Sequence, residues 1–116
     1  MLNTDLNGPY AITANSGPVS TDQGHVVVFR PFTFFIEQVG DDTYWIYSGP
    51  SDTIHATADY RLVIQHGNQD WIIKPYDDQA NTFTIVAAND TSLAWTDGGG
   101  PPGPNHQVGC SVSAAF

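Results

Sequence analysis

Cysteine is nearly absent from this sequence. Cys110 is the single cysteine among 116 residues, so no internal disulfide can form and the fold must be held together by packing. A reactive thiol needs a nearby base, whereas Cys110 lies in the alternating run Val108, Cys110, Val112. We therefore interpret Cys110 as a small core residue.

Basic residues and long apolar runs are also scarce. Arg30, Arg61 and Lys74 stand against 12 acidic residues, which gives a formal net charge of -9. Such a charge repels phosphate backbones and anionic lipid, so we expect no nucleic-acid or membrane partner. No segment approaches the roughly 18 apolar residues of a membrane span, and the first ten residues do not resemble a secretory signal. We expect a cytoplasmic protein, with secretion left open because a signal could have been removed.

Helical periodicity is the third absence. Short runs of β-branched and aromatic residues alternate instead with Gly, Pro, Asn and Asp turns. Residues 34–48 show this best, because two alternating runs flank Gly40, Asp41 and Asp42 and predict a hairpin. At 116 residues the chain has the length of one domain with one core. The sequence therefore predicts a single all-β domain over residues 1–116.

Pairs of an aromatic residue and an isoleucine, two positions apart, recur along the chain. One series opens the repeats and comprises Tyr10/Ile12, Tyr44/Ile46 and Phe83/Ile85, while a second closes them and comprises Phe34/Ile36 and Trp71/Ile73. Repeats of about 35 to 40 residues with four short strands each suggest a closed threefold barrel. We predict a β-trefoil with repeats at about 9–42, 43–81 and 82–116.

The spacing of the repeats also indicates that the last repeat is short. Phe116 corresponds to Phe34 and Trp71, the first residues of fourth strands. We therefore expect the twelfth strand to be short or missing and the barrel to have an open seam. The N-terminal lead-in could close that seam, another protomer could close it in a homodimer, or it could stay open.

Four phrases give the sequence a family resemblance: GPYAIT from Gly8, FFIEQVGDDTYWI from Phe34, LVIQHGNQDWIIKP from Leu62 and FTIVAANDTSLAW from Phe83. Through them the chain resembles the fungal β-trefoil serine protease inhibitors of the cospin type and, at a further remove, the fungal trefoil lectins. The resemblance implies a cytosolic defence protein whose loops bind a protease or a glycan without catalysis.

Protease binding would need a rigid loop that presents an extended segment. In the inhibitors that this chain resembles, a long loop of the first repeat does so, and the corresponding stretch here is only residues 20–25. Arg30 and Lys74 each precede a proline, which makes a poor scissile bond, and Arg61 is interpreted as a solvated strand residue. The candidate protease-binding residues are Asn15, Ser20, Thr21, Asp22 and Gln23.

Glycan binding would need an exposed aromatic ring beside planar hydrogen-bonding groups. Trp95 is the best candidate, and the resemblance matches it to an aromatic residue that related fungal lectins use for sugar. The candidate glycan-binding residues are Trp95, Asn89, Asp97 and Tyr76. The competing interpretation is that Trp95 caps the barrel. Tyr47 and Trp45 are further candidates for surface aromatics.

No arrangement typical of an enzyme is present. The four histidines form no local pair, and the two Asp-Asp pairs fall in hairpin turns, where Asp suits the turn geometry. We predict no enzymatic activity, no cofactor and no metal ion. The first hypothesis is a protease-inhibitor-like protein, the second a lectin, and the third a trefoil that serves in assembly or storage.

Overall fold

A computed structural model of the chain describes residues 6–14, 16–50, 52–57, 61–75, 82–97, 99, 101–103 and 107–111. These residues form twelve strands and no helix, so none of them belongs to a helix that could cross a membrane. The strands are β1 (Gly8–Ala11), β2 (Thr13–Ala14), β3 (Gly17–Asp22), β4 (His25–Val28), β5 (Thr33–Gly40), β6 (Thr43–Gly49), β7 (Asp52–Ala56), β8 (Leu62–His66), β9 (Trp71–Pro75), β10 (Phe83–Ala87), β11 (Asp90–Thr96) and β12 (Gly109–Ser111). The all-β prediction is confirmed.

The strands form one open antiparallel sheet. Its order is β12-β11-β10-β9-β6-β7-β8-β4-β3-β2, and β5 joins β6 on one side and β1 on the other. The predicted hairpin is β5 and β6, which pair Ile36 with Ile46 and turn through Asp41 and Asp42. Asp42 has a φ of +56°, a conformation that Asp tolerates better than most residues.

The sequence repeat reappears as a repeat of strand pairing. Tyr10 lies opposite Phe34 between β1 and β5, and Tyr44 lies opposite Trp71 between β6 and β9. The isoleucines join neighbouring units, because Ile36 pairs with Ile46 and Ile73 pairs with Ile85. By this rule Phe83 would lie opposite Phe116, which falls outside the described residues.

Within the predicted repeat bounds, the described strands divide unequally among three units. The first strand of the first unit is divided at Ile12 into β1 and β2, so that unit comprises β1 to β5. The second unit comprises β6 to β9, and the third comprises β10 to β12. The prediction of a short or missing twelfth strand concerns residues 112–116, which lie outside the described part of the chain. The prediction for the Cys110 side chain also falls outside it.

Three hairpins, β3–β4, β7–β8 and β11–β12, meet at one end of the sheet. Their backbones bond one another: Ile64 N donates to Gly24 O at 2.8 Å, Leu62 N to Val108 O at 3.2 Å, and Val108 N to Val26 O at 2.9 Å. These hydrogen bonds pair backbone N–H and C=O groups that would otherwise be buried without partners. Each hairpin is thereby bonded to both of the others.

One side-chain amide lies at this junction. Gln107 Nε2 is 2.8 Å from Val26 O, 2.9 Å from Leu62 O and 2.9 Å from Val108 O. The amide has two hydrogens, so the three carbonyls must share them. Each carbonyl comes from a different hairpin segment, and Gln107 therefore links all three.

Below the junction lies one cluster of buried hydrophobic residues. Val19 and Val28 come from the first hairpin, Ile54 from the second, and Trp71 and Trp95 pack edge to face with ring centroids 5.7 Å apart. Trp71 Nε1 donates to Ile54 O at 2.9 Å, so this large ring is buried without an unmet donor. The core thus takes residues from all three units.

We predict that Gln107→Leu destabilises the fold. It removes the donor shared by three part-buried carbonyls while keeping the volume, and we expect a loss of about 1–3 kcal/mol in unfolding free energy. Urea denaturation followed by tryptophan fluorescence measures it. Gln65→Leu is the matched control, because Gln65 is exposed on β8 and should change stability by less than about 0.5 kcal/mol. Equal effects of the two substitutions would contradict the role of Gln107.

Candidate functional site

The candidate site lies on the outer side of the β5–β6 hairpin. Side chains alternate along a strand, so Phe34 and Ile36 point into the core and Phe35 and Glu37 point outward. Phe35 is 52% exposed. It lies opposite Tyr47, and Glu37 lies opposite Trp45. We call Phe35, Glu37, Trp45 and Tyr47 the outer aromatic face.

A cleft opens at one end of the outer aromatic face. Its volume is about 490 Å³, and its described lining residues are Thr33, Phe35, Glu37, Tyr47, Ser48, Gly49 and Pro50. The turn that follows β6 forms one wall through Gly49 and Pro50. A cleft of this size, with an aromatic wall and a few polar groups, is typical of small-ligand sites.

The polar groups of this cleft are already oriented. Tyr47 Oη donates a hydrogen bond to Glu37 Oε1 at 2.8 Å. Burial of the ring, then the hydrogen bond to Glu37 and its negative charge, raise the pKa of Tyr47 above the ordinary 10.0. The phenol therefore stays protonated at neutral pH. The Glu37 carboxylate retains lone pairs that can accept hydrogen bonds from a ligand.

A second cleft lies on the other side of Trp45. Trp45 Nε1 donates to Asp70 Oδ1 at 2.6 Å. Asp70 lines a polar cleft of about 380 Å³ together with Asn68, Gln69, Ala88 and Asn89. Trp45 thus lies between the two clefts, since it faces Glu37 across the strands and bonds to Asp70.

The structure does not support Trp95 as a sugar-binding aromatic. Its side chain is completely buried against Trp71, which does not fit the exposed ring that glycan binding needs and agrees with the competing interpretation of Trp95 as a structural residue. Asp97 serves a structural role, because its Oδ2 accepts from Ser16 N at 2.7 Å and its Oδ1 from Gly99 N at 2.9 Å. Asn89 is exposed but lines the polar cleft, and Tyr76 lies outside the described residues.

The predicted protease-binding loop is a tight hairpin turn. Ser20 is completely buried, so its inclusion as a contact residue is wrong. Thr21 and Asp22 belong to β3 and pair with Val26 and His25. Gln23 is exposed, and its φ of +50° followed by +82° at Gly24 is typical of a type I′ turn. Asn15 lies outside the described residues.

The geometry of this loop bears on how it could bind. A type I′ turn bends the chain back on itself within two residues, whereas a protease cleft accepts an extended segment. Of the four described candidates, Gln23 alone is exposed at the tip. The loop therefore offers one side chain rather than an extended stretch.

Sequence reasoning missed Phe35 and Glu37. The signal was available, because both have the opposite parity to Phe34 and Ile36 in a strand whose inner face is clear. Tyr47 and Trp45 were recognised as candidate surface aromatics, and the hairpin register now places them beside these two residues. In the described part of the chain, no three His, Cys, Asp or Glu residues come together as metal ligands would.

Comparisons with known proteins add no family to this description. The chain matches no protein-family model, no curated protein and no solved structure.

We predict that Glu37→Gln lowers the pKa of Tyr47. The substitution removes the negative charge that favours the protonated phenol and leaves burial as the main cause of the shift. Tyrosinate absorbance, taken as the difference between each protein and its Tyr47→Phe counterpart, gives the titration of this residue. Asp41→Asn, at the exposed turn of the same hairpin, should leave the titration unchanged. A rise in the Tyr47 pKa after Glu37→Gln would contradict the assignment.

The raised pKa of Tyr47 also predicts the direction in which the stability of the fold changes with pH. Because the folded-state pKa of Tyr47 lies above the unfolded value of 10.0, its contribution is complete below pH 10.0 and is lost as the pH rises through the folded-state pKa. The unfolding free energy of wild type minus that of Tyr47→Phe, compared from pH 8 upward, should therefore fall as the pH rises above 10.0.

Proposed function

We propose that the chain is a non-enzymatic β-trefoil that binds a neutral carbohydrate in the cleft formed by Phe35, Glu37 and Tyr47. The trefoil part is supported by the repeated pairing of aromatic and isoleucine residues and by the three hairpins that bond one another at one end. In a trefoil, such hairpins close one end of a six-stranded barrel.

The observation that carries the binding proposal is the exposed ring of Phe35 beside the hydrogen-bonded pair of Tyr47 and Glu37. An aromatic face offers packing for the apolar side of a sugar ring, and a carboxylate oxygen accepts hydrogen bonds from its hydroxyls. Tyr47 holds Glu37 in place, so little side-chain freedom is lost when a ligand binds.

The charge of the site selects among sugars. Glu37 lines the cleft and the chain carries a formal charge of -9, so acidic sugars would be repelled. Neutral hexoses present hydroxyls that donate to the Glu37 carboxylate without this cost. The proposed ligand class is therefore neutral glycans.

Binding without hydrolysis is also consistent with the lining. Glycoside hydrolysis usually requires two carboxyl groups that flank the scissile bond. Glu37 is the one carboxylate among the described residues that line this cleft. Its arrangement suits recognition of a glycan rather than its cleavage.

Protease inhibition stays a prediction from the family resemblance. The observation that favours protease inhibition is the exposed Gln23, which lies at the tip of the β3–β4 hairpin. The strands of this hairpin pair from Val19 to Asp22. Paired strands flank this tip on both sides, although it is short. Protease inhibition is therefore the second candidate function, and the experiments below distinguish it from glycan binding.

We predict that Phe35→Ala weakens glycan binding by at least about tenfold, or about 1.4 kcal/mol, because the apolar wall of the cleft is lost. Glu37→Gln should weaken it as well by removing the charged acceptor. An array of neutral oligosaccharides followed by calorimetry with the best ligand gives the affinities. Val39→Ala is the control, since Val39 is 40% exposed on the same strand and does not line the cleft.

Two results would reject this site. A neutral glycan that binds wild type and Phe35→Ala equally well would place the site elsewhere. Absence of glycan binding, together with inhibition of trypsin, chymotrypsin or a papain-like protease that Gln23→Ala abolishes, would establish the second candidate instead.

A further inference from the structure

Two clefts occupy equivalent places in the repeat. One is the cleft proposed above to bind a neutral sugar, which we call the carbohydrate cleft, and the other is the polar cleft beside Trp45. The repeat aligns Phe34 with Trp71 and Tyr44 with Phe83. By this alignment, three lining residues of the two clefts correspond: Thr33 with Asp70, Gly49 with Ala88, and Pro50 with Asn89. The repeat therefore forms a concave surface at the same place twice.

The polar cleft differs from the carbohydrate cleft in its side chains. Its described lining residues include no aromatic residue but do include three carboxamides and one carboxylate, from Asn68, Gln69, Asn89 and Asp70. Carboxamides donate and accept hydrogen bonds, as sugar hydroxyls do, and the carboxylate accepts them. Gln69 Oε1 accepts from Ala56 N at 2.9 Å, which orients that amide. The polar cleft therefore suits the hydroxyls of a sugar but does not itself supply the aromatic wall that packs against a sugar ring.

Trp45 brings an aromatic ring to the border of the polar cleft. Its Nε1 donates to Asp70 Oδ1 at 2.6 Å, and this charge-assisted hydrogen bond fixes the direction of the ring. The side chain is half-buried, so part of it is open to solvent. Trp71 and Trp95 are completely buried, which makes Trp45 the tryptophan that a ligand can contact.

The strand register places these groups in one row. Glu37 of β5 lies opposite Trp45 of β6, and Asp70, at the start of β9, lies on the other side of Trp45. Ala88, at the end of β10, continues the row, because its N donates to Asp70 O at 3.0 Å. Neighbouring strands lie about 4.8 Å apart, so the row from β5 to β10 extends over about 14 Å. One hexose is too small to span this row, whereas a short oligosaccharide can.

We propose that the glycan bound by this chain is a linear oligosaccharide in an extended conformation. One sugar lies in the carbohydrate cleft, the next packs over the ring of Trp45, and the third lies in the polar cleft. This ligand assignment rests on the proposed carbohydrate function and specifies the length and shape of its ligand. The third sugar donates a hydroxyl to Asp70 and exchanges hydrogen bonds with Asn68 and Asn89. Affinity therefore rises with chain length until all three positions are filled.

The two carboxylates of the row suit binding rather than cleavage. Glu37 accepts a hydrogen bond from Tyr47, and Asp70 accepts one from Trp45, so the two acids are directed to different neighbours. They also belong to segments on opposite sides of β6 and do not flank a single glycosidic bond, as the two acids of a hydrolase do. Their negative charges favour a neutral oligosaccharide over an acidic one.

The test measures affinity against the length of the sugar chain. The probes are glucose, cellobiose and cellotriose, and N-acetylglucosamine with its dimer and trimer of the same linkage, because this linkage keeps the chain extended. We expect calorimetry with the intact 116-residue chain to show, in at least one series, a trimer that binds about tenfold or more tighter than its monomer. Maltotriose, whose linkage curves the chain, should show no such gain over glucose.

Four substitutions separate the positions along the row. Trp45→Ala should weaken the trimer by about tenfold and Asn68→Ala by about threefold to tenfold, while neither changes the affinity for the monomer. Phe35→Ala should weaken monomer and trimer alike, because both fill the carbohydrate cleft. Gln65→Ala is the matched control for Asn68→Ala, since Gln65 is exposed on β8 and lines neither cleft.

Tryptophan fluorescence tests the position of the trimer without any substitution. Because Trp71 and Trp95 are completely buried, acrylamide in solution quenches mainly Trp45. We expect the trimer to protect this fluorescence from acrylamide and the monomer to leave the quenching unchanged.

Several results would overturn the proposal. They are equal affinities of monomer and trimer, an equal gain with maltotriose, quenching that the trimer does not change, and trimer binding that survives both Trp45→Ala and Asn68→Ala. A monomer that needs Phe35 but gains nothing from a longer chain would reject this proposal and leave the proposed function intact. If none of these sugars binds, the proposal is also overturned, and the array of neutral glycans decides the proposed function separately.

Discussion

The meeting point of the three hairpins is the constraint on which the rest of this structure depends. Short strands without a disulfide gain little stability alone, so the hairpins must bury their inner faces against one another. At that point their backbone groups lose contact with water, and each N–H and C=O needs a partner. The cross-hairpin bonds of Leu62, Ile64 and Val108 supply partners, and the amide of Gln107 links the carbonyls of all three hairpins.

This convergence determines which side of each neighbouring strand faces outward. Once Phe34, Ile36, Tyr44 and Ile46 are committed to the core, their intervening neighbours must point to solvent. The outer aromatic face is therefore placed by the packing of the opposite face. A candidate site built on paired strands is held more rigidly than one built on loops, and the hydrogen bond from Tyr47 to Glu37 adds to that order.

Strict alternation explains both what could be predicted from the sequence and what could not. In β5 and β6, inward and outward residues alternate cleanly, so the hairpin and its core residues follow from pattern alone. In the hairpins that converge, neighbouring residues are buried together: Val19 with Ser20, and Ala94 with Trp95. Their side chains are enclosed from both sides, and parity no longer separates core from surface. For this reason the sequence did not show that Ser20 is buried, and it left two interpretations of Trp95 open.

Gln107 was beyond prediction for a different reason. A polar residue after a loop rich in glycine and proline is typical of solvent-exposed chain, and its role arises only when carbonyls from residues 26 and 62 are brought to it. These partners are 81 and 45 residues away in sequence. Contacts between residues so far apart leave no pattern in the local sequence. The pairs of an aromatic residue and an isoleucine, by contrast, recur often enough to show the repeat.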